Sequence, residues 1–74
     1  MLTKSCILIV DDDPDILKLL SLTLQKRGYH VVTVGRGIDA IKEVERNKFN
    51  IILLDLKMPG LDGMETYRRI RLLD

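Results

Sequence analysis

Three short aliphatic runs divide the chain: Cys6-Ile-Leu-Ile-Val10, His30-Val-Val-Thr-Val34 and Ile51-Ile-Leu-Leu54. The third is apolar without alternation, the pattern of a strand buried on both faces in a parallel sheet, and the first is a β-rich apolar run. The second is rich in β-branched residues and also reads as a strand. Between the runs the period changes. Ile16, Leu17, Leu20 and Leu24 keep i, i+3/i+4 spacing, widened by Leu19 and Leu22, which predicts an amphipathic helix of about three turns. Asp13 before Pro14 has the pattern of an N-cap and first helical position, and Gly28 after Lys26 and Arg27 is a helix stop. Gly35-Arg-Gly37 breaks the second strand, and Ile38, Ala40, Ile41 and Val44 mark a second helix ending near Asn47. After Gly63, the residues Met64, Tyr67 and Ile70 mark a third. The order is βαβαβα. With right-handed crossovers this predicts an α/β fold, a parallel sheet covered by helices on both faces.

Length and composition narrow the class. A chain of 74 residues is one small domain at most. Hydrophobic residues at 46% with 31% charged fit a globular protein rather than a disordered one. A net charge of +1 argues against direct nucleic-acid contact driven by bulk charge, and Arg68, Arg69 and Arg71 read as a solvated helix face. The lone Cys6 reads as a small buried hydrophobe. No apolar run is long enough for a membrane span and no secretory pattern opens the chain, so the expected location is cytoplasmic.

The chemistry is expected where strands end. Asp11, Asp12 and Asp13 follow the first strand, and Asp55 follows the third. All strands of a parallel sheet emerge on one side, and open α/β sheets place their ligands there. If those two strands are neighbours, about 4.8 Å apart, the carboxylates converge and either shift a pKa or recruit a cation. An oxygen-only donor set favours Mg²⁺ over zinc or copper. Beyond Asp55, Met58-Pro-Gly60 turns the chain and Asp62-Gly63 closes the loop.

The stretches Ile7-Leu-Ile-Val-Asp-Asp-Asp-Pro14 and Leu53-Leu-Asp-Leu-Lys-Met-Pro-Gly-Leu-Asp-Gly63 closely resemble the receiver domain of two-component response regulators. The resemblance implies a flavodoxin-like doubly wound sheet with strand order 2-1-3 in the part present. It implies Asp55 as phosphoacceptor nucleophile, receiving a phosphoryl group from a sensor histidine kinase, a histidine phosphotransfer protein or a small phosphodonor. Asp11 and Asp12, with Asp55 and the backbone carbonyl of Lys57, match the ligands of Mg²⁺, with Mn²⁺ as a substitute. Asp13 is assigned the helix cap rather than a ligand role. Such a module accepts a phosphoryl group rather than turning over substrate as an enzyme. Against the family pattern, residues 1–74 correspond to the first three βα units. The fourth strand ending in Ser or Thr and the fifth ending in Lys are not among them. The expectation is an incomplete receiver with impaired phosphoacceptance, whose Ile51–Leu54 edge is open to another copy.

Two other functions are kept beside this one. A receiver-like unit could act purely in protein interaction or self-association, without phosphorylation. A metal-dependent aspartyl-phosphate phosphotransferase or phosphatase would instead place an Asp-x-Asp nucleophile on the first strand, and Asp11-Asp-Asp13 contains that pattern. Gly35-Arg-Gly-Ile-Asp-Ala40 fits the dinucleotide pattern G-x-G-x-x-A, but it follows the second strand and reads as a turn. His30, the single histidine, is expected at a strand edge.

Overall fold

The computed structural model describes residues 5–55 and 63–73. Six elements alternate as expected: β1 (Cys6–Val10), α1 (Pro14–Lys26), β2 (His30–Val34), α2 (Gly37–Arg46), β3 (Ile51–Leu54) and α3 (Gly63–Leu73). The strands form one parallel sheet of order β2-β1-β3. Cys6 to Val10 stand opposite His30 to Val34, and Ile7 to Val10 stand opposite Ile51 to Leu54. Central β1 is the most buried element, with Ile7, Leu8, Ile9 and Val10 at most 3% exposed.

Right-handed crossovers to opposite sides of β1 put α1 on one face of the sheet and α2 on the other. The α2 face is the better filled. Leu8, Val10 and Ala40 form its centre, with Val34, Val44, Phe49, Ile52, Leu54 and Ile70 packed around them. Helix α3 lies against α2 and adds Ile70 to this cluster. On the opposite face α1 lies mainly over β2. Its Leu17, Leu20 and Leu24 are half-buried, whereas Ile16, Leu19 and Leu22 are exposed.

That asymmetry corrects three expectations. Strand β3 is not buried on both faces: Ile52 and Leu54 turn into the α2 cluster, but Ile51 and Leu53 are 47% and 40% exposed. The cause is that α1 does not reach over β3. In α3 the inward positions are Gly63, Thr66 and Ile70, while Met64 and Tyr67 are exposed. Gly63 and Thr66 are small and buried, and a stripe counted only from large apolar residues misses them. Cys6, at the start of β1, is half-buried rather than buried. His30 is exposed on edge strand β2.

Candidate functional site

The register of the sheet builds the site. Val10 stands opposite Leu54, so the next residue on each strand, Asp11 and Asp55, leaves the sheet at the same level. Both are tied by their backbones as they leave. The Asp55 N–H donates to the Val10 carbonyl at 2.9 Å, and the Asp11 N–H donates to the Val34 carbonyl at 3.2 Å. Asp11 and Asp55 are half-buried and Asp12 is exposed. One carboxylate oxygen from each of Asp11, Asp12 and Asp55 lies within 4.8 Å of the others. Asp11, Asp12 and Asp55 would be the residues to hold a divalent cation here, and their hard, all-oxygen donor set is the kind Mg²⁺ takes.

Asp13, next in sequence, faces a different task. Its Oδ1 accepts from the Asp15 N–H at 2.9 Å, capping α1, and its own N–H donates to Asp11 Oδ1 at 2.9 Å. The aspartate triplet therefore divides between the cluster and the helix end, with Asp13 on the cap as the Asp-Pro pattern predicts. An Asp-x-Asp site on β1 would need Asp13 for chemistry, and its side chain is committed to α1. The expected ligand Lys57 and the turn Met58–Gly60 lie outside the described residues, as does Asp62.

The remaining candidates fall away on geometry. Gly35 and Gly37 do not adopt positive φ, and a Cβ on Gly35 would meet only the Asp11 carbonyl at 3.9 Å. The motif is a turn from edge strand β2 into α2. Arg68 and Arg69 both pair with Glu65, at 3.5 and 3.2 Å, which accounts for them as a helix face. A hollow of about 850 Å³ is lined by Phe49, Ile52, Tyr67 and Ile70 among others and by none of the three carboxylates. It is the gap beside β3, α2 and α3. No helix among the described residues is long and apolar enough to cross a membrane.

A doubly wound parallel sheet with acids gathered at the ends of adjacent strands defines a flavodoxin-like α/β protein with an acidic switch point. Residues 7–74 match the response regulator receiver domain, and the chain belongs to that family. It is 42% identical over 65 residues to the transcriptional regulatory protein GlrR of Escherichia coli K12, covering 88% of this chain and 15% of GlrR. The chemotaxis protein CheY4 of Vibrio cholerae superposes with a TM-score of 0.93 at 32% identity, over 96% of this chain and 59% of CheY4. The response regulator TrrA of Thermotoga maritima, solved in complex with Mg²⁺-BeF, gives a TM-score of 0.88 at 37% identity, over 95% of this chain and 61% of TrrA. TrrA has also been solved in complex with the histidine kinase ThkA. This chain thus spans less than two thirds of each of these relatives.

Proposed function

We propose that this chain carries the phosphoacceptor and metal half of a receiver, with Asp55 as nucleophile and Asp11 and Asp12 as metal ligands. The observation that carries the reading is the convergence of these three carboxylates at the ends of β1 and β3. A carboxylate oxygen of Asp55 attacks phosphorus, the new bond is an acyl phosphate, and the bond from phosphorus to the donor nitrogen or oxygen breaks. The strand-end hydrogen bond from the Asp55 N–H to Val10 fixes the backbone that presents the nucleophile. Asp11 is oriented by the Asp13 N–H, so its charge is aimed before any ligand arrives. Mg²⁺, or Mn²⁺ in its place, would be held by Asp11, Asp12, Asp55 and the Lys57 carbonyl. Bound there, the ion would supply positive charge to offset repulsion between the carboxylates and the incoming phosphoryl oxygens. The donor is a phosphohistidine of a sensor kinase or phosphotransfer protein, the kind of partner with which TrrA has been solved.

Two measurements test this. In a Mg²⁺ titration followed by NMR, amides beside Asp11, Asp12 and Asp55 shift together, and Asp12→Asn weakens the response at all three. Incubated with phosphoramidate, any mass gain of one phosphoryl group is abolished by Asp55→Asn. Labelling that survives Asp55→Asn moves the nucleophile elsewhere. Residues 1–74 as a partial receiver should label more slowly than a relative carrying the later strand-end hydroxyl and lysine, because preorganised positive charge accelerates the transfer.

A second reading, self-association, is favoured by one observation. Strand β3 is an edge strand carrying no charge or proline, and its Ile51 and Leu53 are 47% and 40% exposed. Light scattering decides it: concentration-dependent dimers support an open edge, and a monomer at high micromolar concentration removes the reading.

A further inference from the structure

The candidate site exists only in one register of β3 against β1, yet the apolar pattern of these two strands does not specify that register. After Cys6 both are aliphatic, Ile7-Leu-Ile-Val10 and Ile51-Ile-Leu-Leu54. A one-residue slip normally drives polar side chains into the core, which is how alternation fixes a register. Within Ile51–Leu54 it would exchange one Ile and Leu pair for another, since Ile51 and Leu53 lie on one face and Ile52 and Leu54 on the other. Strand β2 differs, because Thr33 and His30 break its apolar pattern. A slip in β3 would carry Asp55 about 3.3 Å along the sheet and turn its side chain to the other face. The carboxylate cluster would come apart while each face of Ile51–Leu54 still presented one Ile and one Leu, the polar cost being confined to the end residue, Asn50 or Asp55, drawn in beside Ile7 or Val10.

Asn50 supplies the missing specification. It precedes β3, at the end of the sheet opposite the carboxylates. Its side-chain Oδ1 accepts from the Cys6 N–H at 2.8 Å, and its own N–H donates to the Cys6 carbonyl at 2.9 Å. One residue thus grips both backbone groups of the first residue of β1. The Asp55 N–H to Val10 bond closes the same strand pair at its other end. We infer that Asn50 is a positioning residue for the Asp11, Asp12 and Asp55 site: it sets the β1–β3 register on which their convergence depends. The inference rests on the proposed metal-binding reading and names what aligns the site. Asn suits the position because a side-chain carbonyl on a short stem reaches a neighbouring backbone N–H.

The test compares Asn50→Ala with Asn50→Asp in the 74-residue chain, with Mg²⁺ alone as the probe. The Asp variant keeps an acceptor oxygen at the same reach, whereas Ala removes it. Cross-strand NOEs read the register, and the NMR titration reads metal affinity. Asn50→Ala should weaken apparent Mg²⁺ affinity by about five-fold, as the in-register fraction falls, and add a second set of β3 cross-peaks. Asn50→Asp should restore both readouts. Trimethylamine N-oxide in all samples keeps a weakened variant folded. If the unmutated chain binds no Mg²⁺, the metal-binding reading itself fails. If it binds and a folded Asn50→Ala binds equally well in a single register, the role assigned to Asn50 is overturned. Should Asn50→Ala not fold even then, hydrogen exchange on the unmutated chain decides. Protection of the Cys6 amide comparable to Ile7–Val10 upholds the clamp, and exchange as fast as in exposed loops overturns it.

Discussion

Helices α1 and α2 cover opposite faces of the same sheet, yet α1 contains no buried residue while α2 buries Gly37, Ala40 and Ile41. Their ends show the reverse. α1 begins with an Asp13 cap and Pro14 and has Arg27 as its C-cap. There the Gly28 N–H bonds the Gln25 carbonyl and the Tyr29 N–H bonds the Leu24 carbonyl, with Gly28 at φ +91°. That is a Schellman closure, with glycine at the left-handed position. α2 has Arg36 at its N-cap with no side-chain cap, and it ends on extended Asn47. One helix is defined by its termini and the other by the surface it buries. Local hydrogen bonds and tertiary burial therefore substitute for one another in securing a helix, and mutations should separate the two.

The largest effect is expected on the α2 face. Leu8 is fully buried at the centre of the cluster with Val10 and Ala40. Leu8→Ala removes its burial and leaves a cavity, at a cost of about 2–5 kcal/mol. A domain of this size has roughly 4–11 kcal/mol in all, so much of its stability goes. Urea denaturation should show the midpoint falling sharply. On the α1 side, Leu19 is 65% exposed, and Leu19→Ala should change stability by no more than about 0.5 kcal/mol. Equal losses at the two positions would erase the contrast between the faces.

The ends of α1 come next. Asp13→Ala removes the cap bond to the Asp15 N–H and should cost about 1 kcal/mol, with Asp13→Asn largely restoring it. Gly28→Ala forces a Cβ into left-handed backbone at about 1–2 kcal/mol, although no atom within 4 Å would obstruct that Cβ. Thermal melts of the three variants read these costs. A neutral Gly28→Ala would show that the turn can re-form with negative φ.

Those local signals are also what could be read from sequence. Asp13-Pro14, Gly28, the three aliphatic runs and the strand-end acids are contiguous patterns, and the structure places each element on them. Strand order 2-1-3 came from the family resemblance. The apolar runs alone do not say which strand is central. The exposure of Ile51 and Leu53 depends on how far α1 reaches, which no property of residues 51–54 records. The inward face of α3 was hidden because Gly63 and Thr66 are small, and hydrophobic periodicity counts only large residues. At the site, Asp11, Asp12 and Asp55 could be named because their position follows from parallel strands. The contribution of Asn50 could not, since its partner Cys6 is 44 residues away.

The smallest expected effect is the most direct exchange between the two ways of holding a helix. Arg36 sits at the N-cap of α2 with extended backbone, φ −142° and ψ 151°, the conformation a capping residue needs. Its guanidinium instead pairs with Asp39, Nε to Oδ2 at 3.1 Å, with the arginine side chain 73% exposed. An exposed pair of this kind is worth about 0.3–0.5 kcal/mol and is screened by salt. Ser at this position can accept from an N–H of the first turn, at a gain of about 1 kcal/mol. Arg36→Ser should therefore stabilise the chain by about 0.5 kcal/mol net. Raising the salt concentration should widen the gain, because the lost ion pair weakens in the parent while the cap bond is short-ranged. Differential scanning calorimetry at low and high NaCl reads both points. A loss of stability that shrinks with salt would mean that α2 depends on the Arg36–Asp39 pair at its start. The division between a helix held by its ends and one held by its face would then no longer describe α2.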